Sequence, residues 1–430
     1  MDVGTPARLH GVRGLTGDGS SRPQRDEKLG MRPARILPNN SGAKRFVPSH
    51  FGLNAQFGFP ETDPDRHHAV IAPPLGNSHK FAYLLRMPFK TMLAIGCTVA
   101  YLSAAAIAED LYKFLNEIPI GGEGGWDILT IDAAARRLYL SHATKVVVVD
   151  LEKNAVVGEI ADTPGVHGFL TVPEAQRGFS SNGKENKASV VDLKTLRTIS
   201  KIDTGESPDA LVYDSKHGEV YIFNHRGSSV TVIDAKTSKV AATISLGGTP
   251  EFAAVDPTAD RVYVNIEDKS EVAAIDTAKH EVVAHWPLAP GEEPSGIALD
   301  AAHHRLFATC HNKMMEMVDT ESGKVVGSVP IGTGADGAAF DDASQLAFAS
   351  CGEGTTTIAK EETPDKLTVA QTLKTERGAR TIAIDPATHR IYLPTAKFQP
   401  APSPSPSASP GRPTIVPNTQ KLLVYGPEGK

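Results

Sequence analysis

The segment EVYIFNHRGSSVTVID (219–234) carries the reading on which the fold turns. Two short apolar runs alternate with a period of two, a polar loop divides them, and the second run ends on Asp234. That is the signature of two antiparallel strands joined by a turn. The same phrase recurs along the chain, as RLYLSHATKVVVVD (137–150) and RVYVNIEDKSEVAAID (261–276). Asp150, Asp192, Asp234, Asp276 and Asp319 form one ladder; Tyr139, Phe179, Tyr221, Tyr263, Phe307, Phe348 and Tyr392 form another at a constant offset. The spacing is about 42 residues and recurs seven times. A period in the forties built from four short strands marks a propeller blade. The predicted fold class is therefore all-β: a seven-bladed β-propeller of four-stranded antiparallel blades, spanning residues 109–430.

Within each repeat a Gly/Pro-rich loop leads into a short apolar strand that ends on a turn aspartate: Asp132, Asp214, Asp256, Asp300, Asp341 or Asp385. In VDPTADRVYV (255–264) and IDPATHRIYL (384–393) the carboxylate can bond its own following N–H groups and close a tight hairpin. Both aspartate ladders are accordingly read as turn chemistry, not as catalytic carboxylates. The seventh repeat offers strands near 381–385, 390–394 and 421–425, and then the chain ends. Its missing outer strand matches YKFLNEIPIGG (112–122), which resembles KVVGSVPIGTG (324–334). The N-terminal strand of the mature chain should complete the last blade and remove the open edge. The loop between the second and third strands of that blade expands into a Pro/Ser-rich stretch, 397–420, expected to form a mobile flap with polyproline character.

Charge is unevenly distributed. Residues 1–86 carry 12 Lys/Arg against 7 Asp/Glu, whereas 109–430 carry 31 against 43. An acidic repeat region makes a nucleic-acid backbone an unsuitable partner. Three cysteines exclude a disulfide framework. Cys310 and Cys351 occupy equivalent places in adjacent repeats, roughly 7–10 Å apart by seven-fold geometry, beyond the ~7 Å that a disulfide tolerates between Cα atoms. They are read as unpaired thiols, in preference to a bond or a metal pair.

From Met87 the chain reads M-P-F-K, then an apolar alanine-rich stretch, then Ala106-Ile107-Ala108 before Glu109-Asp110. A basic start, an apolar core and an A-x-A site describe a secretory signal peptide over 87–108, cleaved after Ala108. The predicted location is periplasmic or extracellular, with no stable membrane insertion after cleavage. Residues 1–86 are rich in Pro, Gly, Arg and Asn and offer little to bury, so they read as a disordered extension or as an artefact of start-site choice.

RVYVNIED (261–268), EVYIFNHRGSSVTVID (219–234) and RLYLSHATKVVVVD (137–150) resemble the YVTN family of bacterial β-propeller repeats, the YncE-like proteins. The third residue after the aromatic is Asn182 or Asn224 in two repeats, but His142, Ile266, Cys310, Cys351 and Thr395 in others, and IAKEE (358–362) replaces the ladder aspartate in the sixth. The resemblance implies an exported seven-bladed propeller without a defined common chemistry. The fold hosts binding proteins, lactonases and oxidoreductases alike, so it does not name a function.

In a propeller, the loops entering the innermost strands and the loops between strands two and three meet at one mouth of the central channel. The first set offers Asp127, His167, Asp209, Glu251, Ser295, Asp336 and Arg380; the second offers His142, Lys184, His225, Arg226, Glu267, Asp268, His311, Asn312 and Glu353. Convergent polar groups at a concave mouth are the default binding site. Asp127, His167, Asp209, His225, Glu251, His311, Asp336 and Arg380 are the candidate ligand-binding residues. Their mostly acidic character suits a cationic or metal-bearing ligand better than a phosphate. The four loop histidines 142, 167, 225 and 311 lack any H-x-H or H-E-x-x-H grouping, so they are expected to be solvated, with no cofactor; a metal ion at the channel mouth is the lesser alternative. There is no C-x-x-C-H, no G-x-S-x-G and no Walker loop. The expected function is a monomeric, non-enzymatic propeller that binds a small ligand or a protein partner. The alternative is a lactonase-like hydrolase, or an accessory of periplasmic redox metabolism, in which His311 or Glu353 activates water and Arg380 holds an oxyanion.

Overall fold

A computed structural model of the chain describes residues 111–399 and 414–427. Residues 1–86, the stretch 87–108 expected to be a signal peptide, and the centre of the Pro/Ser-rich stretch (400–413) lie outside the described residues. The described chain forms seven antiparallel four-stranded sheets. Blades 1 to 6 are continuous, over 126–160, 166–203, 208–245, 250–287, 294–330 and 335–374. Blade 7 takes its three inner strands from Ala383–Asp385, Arg390–Thr395 and Lys421–Pro427, and its outer strand from Tyr112–Pro119. The fold is the seven-bladed propeller expected from the repeat.

Burial follows from the stacking of blades. The second and third strands of each blade lie between neighbouring sheets and are buried on both faces, which is why LYL in 138–140 and VVVV in 146–149 read as unbroken apolar runs. The outermost strands face solvent on one side and alternate instead, as EVVAHWP (281–287) does. All seven ladder aromatics are buried. They pack across seams: Phe307 stacks on Phe340 at 5.0 Å between centroids, and Tyr139 meets Phe169 at 4.9 Å.

Both aspartate ladders act at turns. Asp132, Asp214, Asp256, Asp300 and Asp385 each accept backbone N–H groups two or three residues on. Asp150, Asp192, Asp234, Asp276 and Asp319 do the same at the hairpin between strands three and four, on the same face. The turn after Asp214 needs a left-handed residue, and Gly218 supplies it at φ 70°.

Two devices close the ring. The strand Tyr112–Pro119 pairs antiparallel with 421–427, and the Tyr112 hydroxyl donates to the His389 carbonyl at 2.7 Å. At the seam between blades 7 and 1, Arg136 grips the buried Asp385 carboxylate with two nitrogens, at 2.9 and 2.8 Å. The described ends of the long insertion pack on the mouth side: Phe398 bridges to Ile415, its ring sits 6.2 Å from that of Trp126, and the Arg377 guanidinium lies 5.6 Å over it.

Candidate functional site

The second residue of each innermost strand points into the channel, and a bulge is the reason. In blades 1 to 6 the innermost strand carries one residue more than its partner at this point. A bulge tilts the extra side chain out of the sheet's alternation. The residues so placed are Asp127, His167, Asp209, Glu251, Ser295 and Asp336; Arg380, just before the short innermost strand of blade 7, completes the ring. Their backbone carbonyls stitch the blades together. Ser181 donates to the Asp209 carbonyl, Asn265 to that of Ser295 at 2.8 Å, Ser350 to that of Arg380, and Thr381 to that of Asp127 at 3.0 Å.

A second tier comes from the first residue after strand two. In blades 3, 4 and 5 this position holds His225, Glu267 and His311; in blades 1, 2, 6 and 7 it holds Ala143, Gly183, Gly352 and Ala396. The ionisable part of the tier is thus confined to one side of the channel.

The two tiers enclose a cavity of about 470 Å³. Its lining includes all eight candidate residues together with Glu267, Ser295 and Phe252. Acidic and basic groups alternate around it. Arg380 binds Asp336 at 2.6 Å and reaches Asp127 at 3.7 Å. The other oxygen of Asp127 meets His167 at 2.8 Å, and His167 lies 3.5 Å from Asp209. His225 pairs with Glu251 at 2.9 Å and Glu267 at 3.9 Å, and His311 stands 3.8 Å from Glu267. Ser295 donates to Asp336 at 2.8 Å.

Burial and crowding shape the protonation of this ring. Burial would lower His167, but its bond to Asp127 and the charge of Asp209 outweigh that and raise it. Asp209 is itself raised, first by burial and then by the Asp127 charge. The bond to Glu251 raises His225 against the opposing effect of burial. Burial raises Asp336, with Arg380 pulling the other way, and burial followed by the charge of Glu251 raises Glu267. Two trios on this wall, Asp127–His167–Asp209 and His225–Glu251–Glu267, each present nitrogen and oxygen atoms within 4.8 Å of one another and have the donor types of a divalent-ion site.

Two sequence expectations are corrected. His142 is not a solvated loop histidine: it is 1% exposed, burial lowers its pKa, and its Nε2 has no hydrogen-bond partner among the described residues. As the last residue of strand two, it points into the blade, one position short of the channel tier. Glu353 is one position too far. It is exposed, it is held by Thr355 at 3.1 Å, and it is not among the residues lining the cavity with His311 and Arg380. The sequence reading also passed over Phe252, which lies on the cavity wall next to Glu251. Its only signal was adjacency to a strand start. Cys310 and Cys351 are free and buried, and burial pushes their thiols up to about 12 and about 11.

No protein family model matches the chain. Proteins named uncharacterized protein YncE in Salmonella typhi and Salmonella typhimurium strain LT2 are each 27% identical over 96 residues. The match spans 22% of this chain and only 27% of those relatives' length. A solved chain titled Kuenenia stuttgartiensis hydrazine synthase superposes with a TM-score of 0.55 at 16% identity, over 68% of this chain and 95% of that one. At that identity the likeness concerns the fold alone. The recurring strand signature, the local match and the architecture together make this chain a seven-bladed β-propeller similar to YncE.

Proposed function

We propose that the chain is an exported binding propeller whose mouth takes a small organic cation carrying an ammonium group. One observation carries the reading: five carboxylates (Asp127, Asp209, Glu251, Glu267 and Asp336) and a single guanidinium, Arg380, line one cavity of about 470 Å³. With the imidazoles neutral the lining has a formal charge of −4; protonating both raised histidines, His167 and His225, leaves it at −2. A concave, partly desolvated anionic wall concentrates cations and repels anions. Phe252 adds an aromatic surface for the hydrocarbon or the charge of such a ligand. The volume lies within the ~300–1,000 Å³ range of small-molecule sites. Arg380 is tied to Asp336 and Asp127, which favours a structural role over the capture of an oxyanion. The basic start, apolar stretch and A-x-A site over 87–108 support the exported location.

The test is calorimetric titration with a panel of amines, including a diamine and choline, alongside neutral lactones and sugars. An amine should bind, and Glu251→Gln should weaken it about tenfold, the worth of one charge-assisted hydrogen bond. Binding of lactones or sugars with no amine binding at all would replace this reading.

A further inference from the structure

The innermost strand of blade 5 ends, on the face opposite the mouth, at Asp300. Its oxygens take the N–H groups of Ala302 and His303, and the His303 Nδ1 at 2.6 Å. Blade 3 has the same device: Asp214 accepts the N–H of Lys216 and the Nδ1 of His217 at 2.8 Å. The two seams differ in what the next blade brings. At the seam of blades 3 and 4 the His217 ring meets the hydroxyl of Thr277 at 3.4 Å. At the seam of blades 5 and 6 the equivalent position is Glu361.

That position follows the ladder residue at the end of strand three, and other blades fill it with Leu151, Ala235 or Thr277, each about 2% exposed or less. The sixth blade breaks the pattern: IAKEE (358–362) puts Lys360 in the ladder place and a carboxylate in the buried one. Glu361 is 4% exposed, and neither of its carboxylate oxygens has a hydrogen-bond partner among the described residues. The donor atoms of Asp300, His303 and Glu361 all lie within 4.8 Å of one another. Arg305, close by, is committed to Asp319, Asp365 and the carbonyls of His303, His304 and Pro364. Asp300 and Glu361 are adjacent buried carboxylates that repel one another. His303 bonds Asp300 but not Glu361, and burial and the Asp300 charge raise the Glu361 carboxyl. A cation among the three removes the repulsion and occupies the idle oxygens.

We propose that Asp300, His303 and Glu361 form a site for a divalent transition ion, of the Zn²⁺ or Mn²⁺ kind, at the seam of blades 5 and 6. Two carboxylates and one imidazole are a donor set that suits these ions. The partly exposed His303 leaves a path for entry and room for water to complete the coordination. The site lies a strand's length from the mouth and is independent of the ligand assigned there.

The experiment is a calorimetric titration of the metal-stripped full chain with Zn²⁺, comparing wild type, Glu361→Thr, His303→Ala and Glu251→Gln. Glu361→Thr installs the blade 4 residue in the same slot. The expected result is the loss of one bound ion per chain in Glu361→Thr and weakening of at least about tenfold in His303→Ala. Glu251→Gln, at the mouth, should retain the site. If Glu361→Thr fails to fold, the exposed His303→Ala still decides. No ion taken up by the wild type overturns the proposal. So does binding unchanged in both seam variants, or a loss confined to Glu251→Gln. Amine binding at the mouth should persist in Glu361→Thr, so failure here and failure of the mouth reading are separable.

Discussion

Asp209 and Asp214 lie on one strand, five residues apart, and meet opposite fates. Asp214 is fully buried and accepts a backbone N–H and an imidazole from its own turn. Asp209 stands at the cavity, crowded by Asp127 and Glu251 and held by the charges of His167, at 3.5 Å, and His225. The same contrast separates Glu251 from Asp256 and Asp127 from Asp132. In blades 1, 3, 4 and 6, which carry a carboxylate at both ends of the innermost strand, one end uses it to complete a hairpin. The other end pairs it with imidazole or guanidinium across the channel in a lining that stays net negative, and that unspent charge is what the proposed ligand would use. Turn stability and the proposed recognition thus fall at opposite ends of the same strands.

The largest test of this division is at the turn end, where the ring closes. Arg136→Ala strands the buried Asp385 without its cation and should cost about 3 kcal/mol, read as a fall in the denaturation midpoint. A change below 0.5 kcal/mol, on the order of a neutral surface substitution, would remove the seam from the stabilising set. Next is a matched pair on one strand. Asp256→Ala gives up two N–H bonds, at 2.9 and 3.1 Å, and should cost about 1–2 kcal/mol. Glu251→Ala, at the mouth end, should cost less, under about 1 kcal/mol, because relief of the crowding with Glu267 and Asp209 offsets the lost pair with His225, while weakening amine binding. Equal costs for the two would erase the distinction.

The smallest effect is one of slope. The Glu251 bond raises the folded pKa of His225 above its unfolded value of about 6.5. The stabilisation from this pair is therefore complete below about pH 6.5 and is lost as pH rises through the folded value. Melting temperature against pH for His225→Gln should lack that decline. An unchanged curve would mean that the pair contributes nothing.

The second and third strands were legible because burial on both faces demands unbroken apolar runs at a fixed interval. The mouth was legible to within one residue. Asp127 and its counterparts stand at a constant offset from the turn aspartates, so the ring could be counted along the chain. His142 and Glu353 were misplaced because strand two ends one residue beyond the apolar run, and a shift of one reverses the face. Phe252 carried no periodic signal. The oddity of IAKEE was visible as a broken pattern, but its consequence was not, because Asp300 is some sixty residues away in the preceding blade.

By itself the sequence determined the number of blades, the strand that closes the ring and the identity of the turn residues. All of these are local or periodic, and a repeat that buries the same face each time must write the same pattern each time. Only the tertiary structure decided which charges pair, which histidine is buried and which carboxylate has no donor. Those outcomes depend on atoms brought together across seams and across the channel, where distance along the chain carries no information.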